Sequence, residues 1–168
     1  MPKIIENLPQ RLTEEARRQI EESGYAAMTI RSVAKACGVG VGTVYNYYPS
    51  KEALVATFML SDWKDCVASI QRCADDDNLP ETVLRCMYDQ LLLFMRQYAP
   101  IFRDESAAVS YTGATSPYHS VLREQLAAPV RKFCGDDFTA QFIAEAMLAW
   151  TIAGTPFDEI YALVSKLF

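Results

Sequence analysis

At 168 residues the chain can hold one sizeable core, or a small head joined to a larger body. Half of it is hydrophobic (51%) and 22% is charged, which excludes a disordered chain; it has no apolar run of the roughly 18 residues that a membrane span needs. The net charge of −5 excludes a uniformly basic nucleic-acid coat. The charge is uneven, however. Residues 1–58 hold seven Lys and Arg against six Asp and Glu, the remainder nine against fifteen. That segregation fits a DNA-contacting head on an acidic body, but a difference this small does not carry the reading alone.

The N-terminus meets an acid at Glu6, too early for a signal-peptide core, so a cytoplasmic, soluble protein is expected. Thr13 to Ser23 is rich in helix formers; this first helix begins near Pro9 and stops at Gly24. Thr29 is placed to cap a short helix over Ile30–Cys37, where Ile30, Val33, Ala34 and Cys37 form one buried stripe. Gly38 supplies a left-handed end and Val39 plugs the turn. A third helix covers Val41–Tyr47 and ends before Pro49. Ser50 then caps a long helix, with Ala53 where a capping box would put Glu or Gln. Its apolar rhythm runs from Leu54 through Trp63 and Cys66 to Cys73, until Asp75, Asp76, Asp77 and Asn78 break it.

Leu79–Tyr98 is a further amphipathic helix, and a shorter one runs from Pro100 to about Ser110. The stretch Tyr111–Pro117 has loop composition. Tyr118–Cys134 is helical with a kink or break expected at Pro129. Asp136–Ala153 and Phe157–Phe168 complete the chain, divided by Gly154 and Pro156. The expected fold is all-α, about nine helices, with a three-helix head over residues 1–50 and a helical body over 51–168.

The segment Thr29–Lys51 is two short helices around a Gly-Val-Gly turn, the helix-turn-helix layout in which the second helix enters a major groove. Val44 and Tyr48, four apart, can face the core. Val41, Thr43, Tyr45, Asn46 and Tyr47 are small, polar or hydroxyl-bearing, and Gly42 leaves room for a close approach to phosphates. The run from the alanine-rich second helix through Gly-Val, Gly-Thr-Val-Tyr, an aromatic pair and Pro-Ser-Lys-Glu resembles the DNA-binding signature of the TetR/AcrR family over residues 9–60. Gly40 stands where that family often has a Ser or Thr cap, a change costing a few tenths of a kcal/mol.

The resemblance implies that Thr29, Arg31, Tyr47 and Lys51 clamp phosphates, and that Thr43, Tyr45 and Asn46 meet the groove floor, with Val41 and Gly42 beside them. It implies a one-component repressor that binds a palindromic operator on double-stranded DNA as a homodimer. A small, largely apolar effector held in the body would release it by shifting the long helix and respacing the recognition helices. Trp63, Cys66, Met87, Tyr88, Leu91, Phe94, Phe102 and Tyr118 are the candidate effector-pocket residues. The broad apolar surface of the last two helices independently suggests pairing through Phe142, Ala146, Met147, Trp150, Phe157, Tyr161, Val164 and Phe168.

No cofactor or metal is expected, and no enzyme: the single histidine, His119, has no acid or nucleophile motif near it in sequence. The five cysteines (Cys37, Cys66, Cys73, Cys86, Cys134) are an odd count without a CxxC pair, expected as reduced thiols. Cys66 and Cys73 share a face but lie about 10 Å apart by the helix rise, too far to bond each other. Pairing across helices, and with it a thiol-based redox regulator, stays open. So does an activator working through a protein partner.

Overall fold

The computed structural model describes residues 6–77, 79–104 and 117–168, with the backbone alone at 117–119. Among these residues the fold is all-helical, with no strand. Nine α-helices follow one another: α1 (Leu8–Ser23), α2 (Ile30–Cys37), α3 (Val41–Tyr47), α4 (Lys51–Asp76), α5 (Pro80–Gln97), α6 (Ala99–Phe102), α7 (Pro117–Val130), α8 (Asp137–Ile152) and α9 (Phe157–Val164). A 3-10 turn, Ser165–Leu167, follows. No helix among the described residues is long and apolar enough to cross a membrane.

The described residues fall into two compact units. One comprises those within Met1–Ser61 and Ala99–Tyr111, the other those within Asp62–Tyr98 and Thr112–Phe168. The expected division after residue 50 differs from this one, because α4 does not start at a domain border. Leu54, Val55, Phe58 and Met59 are buried, and the Arg17 guanidinium of α1 lies 4.8 Å from the centre of the Phe58 ring. The first three turns of α4 therefore belong to the head.

In the head, α1 buries Leu8, Leu12, Ala16 and Ile20, a spacing of four that makes one stripe. Its solvent side carries Arg18 between Glu15 and Glu22, each at 2.6 Å. Exposed pairs of this kind add only tenths of a kcal/mol, so the buried stripe decides the packing.

The second unit is built around Ile70, Leu84, Met87, Leu126, Ile143 and Met147, all fully buried. Three expectations change, and another falls in part outside the described residues. First, α7 passes through Pro129 and stops at Val130, not Cys134; the backbone then turns through i→i+3 bonds such as Phe133 N to Val130 O (3.1 Å). Second, the last helix ends at Val164. Third, only Ala99–Phe102 is described of the helix expected to reach Ser110; residues 105–116 lie outside the described residues. Fourth, the cysteines are not all free. Cys73 of α4 and Cys86 of α5 are joined in a disulfide, while Cys37, Cys66 and Cys134 are free. Sequence spacing could not show this pairing, because the two come together through the turn between their helices.

Candidate nucleic-acid interface

Local rules build the helix pair. Thr29, extended at φ −133°, accepts the Ser32 amide on its Oγ1 (3.0 Å), and the Ser32 hydroxyl accepts the Thr29 amide (3.0 Å). This is a capping box with Ser in place of the usual Glu or Gln. The Ser32 hydroxyl also donates to Gln19 Oε1 at 2.5 Å, which ties α2 to α1. At the other end Gly38 adopts φ +71°, with its amide on the Lys35 carbonyl and the Val39 amide on that of Ala34. Both bonds of a Schellman motif are thus present.

The third helix starts at Gly40 without a side-chain cap. Val44 is fully buried. Tyr48, just past the helix, is buried too, and its hydroxyl donates to the Pro9 carbonyl at 3.2 Å. These two anchors orient α3. The opposite side carries Tyr45 and Tyr47, about half exposed (50% and 49%), together with exposed Gly42 and Asn46. Val41 and Thr43 are half-buried at the margin, and Thr29 and Arg31 are exposed at the start of α2. Tyr47 leans on the Tyr48 ring (6.5 Å between centroids), and the outer parts of Tyr45 and Tyr47, with the asparagine between them, stay open to solvent. These hydroxyl and amide groups on a short helix are able to bond phosphates and base edges.

Lys51 is placed differently. Its Nζ donates to the Tyr25 carbonyl at 2.5 Å and lies 3.9 Å from the centre of the Tyr25 ring. Burial pushes its pKa down, opposed by Asp104 and Glu52. The neighbouring Glu52 accepts the Tyr25 hydroxyl at 3.3 Å. Its carboxyl is held below the usual range first by its own backbone amide, with the hydroxyls of Ser50 and Tyr25 adding to this against its burial. The Ser50 hydroxyl also caps α4 by accepting the Ala53 amide at 3.1 Å. Tyr25 was not among the candidates, since no local pattern links residues 26 apart. Lys51→Ala should consequently cost the head about 1–2 kcal/mol, from a charged hydrogen bond and a cation–π contact. The check is a lower urea midpoint at unchanged slope.

Residues 12–57 match the family model described as bacterial regulatory proteins, tetR family. The helix-turn-helix transcriptional regulator UidR of Escherichia coli (strain K12) is 31% identical over 58 residues, 34% of this chain and 30% of UidR. The chain thus matches less than a third of that relative's length. Over the whole fold, a TetR-family transcriptional regulator from Streptomyces coelicolor superposes with a TM-score of 0.66 at 16% identity, covering 95% of this chain and 99% of the other. The fatty acid degradation regulator FadR from Bacillus halodurans gives 0.57 at 19% identity, covering 95% and 91%. The TetR-type fold thus extends through the described chain.

Six of the eight effector-pocket candidates come together in the second unit. Trp63, Cys66, Met87 and Leu91 are buried, with Tyr88 and Phe94 half-buried against the same core. Trp63 meets Phe94 edge-on (5.4 Å between centroids) and its indole N–H donates to Gln125 Oε1 at 2.7 Å. The Tyr88 hydroxyl donates to the Thr155 carbonyl at 3.1 Å. Phe102 belongs to the other unit, and the Tyr118 side chain lies outside the described residues.

The pairing candidates divide by face. Phe142 (53%) and Trp150 (56%) are exposed, as is Phe168, which also packs edge-on against Phe133 (5.1 Å). Met147, Phe157 and Val164 instead point into their own unit's core, and Ala146 and Tyr161 are half-buried. Leu163 and Leu167, apolar positions of the last stretch, are exposed as well, and on α8 so are Phe138 (78%) and Ile152, which the pattern of the sequence did not single out. The reason is that α8 is apolar nearly all round, so periodicity alone could not choose its outer face.

Proposed function

We propose that this chain is a one-component transcriptional repressor of the TetR type. It binds a palindromic operator as a homodimer and is released by a small, largely apolar effector. The observation that carries this reading is the outer face of α3. Tyr45, Asn46 and Tyr47 stand exposed on a helix whose inner side is locked by Val44 and by the Tyr48–Pro9 bond. In this reading Thr29, Arg31 and Tyr47 hold phosphates, while Thr43, Tyr45 and Asn46 meet the groove floor. Lys51 contributes through its position at the first turn of α4 as well as through its charge.

Pairing is supported by Phe142 and Trp150, bulky side chains left outside on a helix whose other faces fill a core, with Phe138 beside them. Such a run of exposed apolar groups is what an obligate helix–helix interface covers. An apolar effector is supported by the cluster around Trp63, Met87 and Phe94, where charges are scarce. Activity is expected in the cytoplasm.

The test is anisotropy titration of DNA from upstream of its own gene across a salt series, with Tyr47→Ala and Asn46→Ala beside the parent. Binding should fall steeply with salt, and each variant should lose roughly 10–100-fold in affinity at unchanged thermal stability. A parent protein indifferent to that DNA at low salt, or variants that bind as well as it does, would overturn the assignment.

A further inference from the structure

Of the five cysteines, two are set apart by position. Cys73 lies one turn from the end of α4 and Cys86 in the second turn of α5. Their Cα atoms are 6.6 Å apart, within the range a disulfide spans. Both are half-buried, as is the free Cys134, so part of each side chain is open to a small reagent. The three free thiols are in other surroundings. Burial raises the pKa of Cys37 and Cys134 and pushes Cys66 up to about 11, which lowers the thiolate share of each.

The juxtaposition of Cys73 and Cys86 belongs to the fold and does not depend on the bond. The α4–α5 turn is short, with the Asp77 carboxylate accepting the Leu79 amide at 3.0 Å. Lys132 holds the end of α4 through the Ala74 carbonyl (3.2 Å) and the Asp75 carboxylate. On α5, Arg85 pairs with Asp158 at 3.1 Å and lies 4.0 Å from the centre of the Phe157 ring. With these ties the two sulfurs stay neighbours after reduction. The unit also has a full apolar core, so it is not the kind of small scaffold that needs a permanent staple.

We propose that Cys73 and Cys86 are a reversible thiol–disulfide couple, a redox modification site that takes hydroperoxides or low-molecular-weight disulfides as oxidants and alters how tightly the chain holds DNA. With a hydroperoxide, one thiolate attacks the peroxide oxygen, forming a sulfenic acid and releasing the alcohol, or water from hydrogen peroxide. The second thiol then attacks the sulfenic sulfur, the S–S bond forms and water leaves. Two electrons and two protons pass from the dithiol to the peroxide. With a small disulfide, two successive exchanges release two small thiols and leave the same bond. The link to DNA rests on the repressor reading above; the couple does not. Cys73 sits on the same helix whose first turn, at Lys51, follows the recognition helix in the chain, and oxidation fastens that helix to α5.

The test uses the purified full chain, equilibrated in graded reduced and oxidised glutathione or, in a separate arm, treated with hydrogen peroxide. N-Ethylmaleimide labelling with peptide mass mapping, melting temperature and DNA affinity are read on each sample. Cys73 and Cys86 should lose labelling together in both arms and regain it with dithiothreitol. Closing a loop whose ends are 13 positions apart in sequence should raise the melting temperature by roughly 5–10 °C. Cys73→Ser and Cys86→Ser should melt alike in both conditions. DNA affinity should differ at least threefold between oxidised and reduced parent, and not in either variant. Full labelling of both cysteines under oxidation, pairing with Cys134 or with another chain, or failure of any buffer to open the bond would overturn the couple. A couple that cycles with a smaller affinity change overturns the DNA link alone. No DNA binding in either state, with the couple still cycling, sinks the repressor reading and the DNA link together and leaves the couple standing.

Discussion

Replacing Gly42 with alanine should stabilise the free protein while weakening its hold on DNA at least tenfold. Glycine within a helix costs about 1 kcal/mol relative to alanine, since it gives up more backbone freedom on folding. At Gly42 nothing in the fold opposes the exchange: a Cβ there would meet no atom within 4 Å, and the backbone does not need positive φ. The melting temperature should therefore rise by roughly 2–4 °C for a chain of this size. On the proposed DNA-facing side the new methyl group stands between the first turn of α3 and the sugar–phosphate backbone. It pushes the helix away and lengthens every contact that Thr43, Tyr45 and Asn46 make. Gly38 provides the contrast. It sits at φ +71°, so Gly38→Ala strains the turn whatever the space around it and should destabilise the head by about 1 kcal/mol or more. Circular dichroism melts and anisotropy titrations on the same preparations separate the two effects. A Gly42→Ala protein that melts higher and binds DNA unchanged would show that α3 does not approach DNA through this turn.

Phe142→Asp combined with Trp150→Asp should turn a homodimer into a folded monomer. Both side chains are exposed within the chain and absent from its core, so their loss costs the isolated subunit little. In a paired surface each would instead bury a carboxylate without a partner, at several kcal/mol per charge. Sedimentation velocity should show the halved mass, with helical content retained. The salt dependence of DNA binding should fall toward half the parent slope, because one head engages instead of two. Met147→Ala is the informative control. Met147 was a pairing candidate by sequence, yet it is fully buried in its own unit, so the substitution should cost about 2–5 kcal/mol of folding stability. A double Asp variant that stays dimeric would move the interface away from α8.

These two predictions come from opposite ends of what the sequence discloses. The helix pair in the head was legible because its determinants are local. Thr29, Gly38 and Pro49 act within a few residues of themselves, and Val44 and Tyr48 declare their inward side by a spacing of four. A motif confined to about twenty residues keeps its meaning wherever it is placed. Lys51 shows where that legibility stops. Its position beside a helix start was readable, but its bond to the Tyr25 carbonyl, 26 residues away, depends on how α1, α2 and α4 pack.

In the second unit the balance reverses. The amphipathic stripes of α4 and α5 disclosed which helices exist, and the apolar character of α8 and α9 disclosed that surface must be covered. Which part of it faces its own core was decided by packing alone, because a helix apolar on every side offers no preferred face until neighbours take one. That is why Met147 of α8 went inward while Phe138 and Trp150 of the same helix remained outside. The meeting of Cys73 and Cys86 has the same origin. Their spacing of 13 fits no pattern along a single helix, and only the turn that folds α5 back on α4 brings the sulfurs together. The sequence by itself determined the helices, the caps and the recognition motif, whose energetics are settled within one or two turns. The tertiary structure alone decided the faces and the long-range pairs, because those depend on which apolar surfaces exclude water from one another.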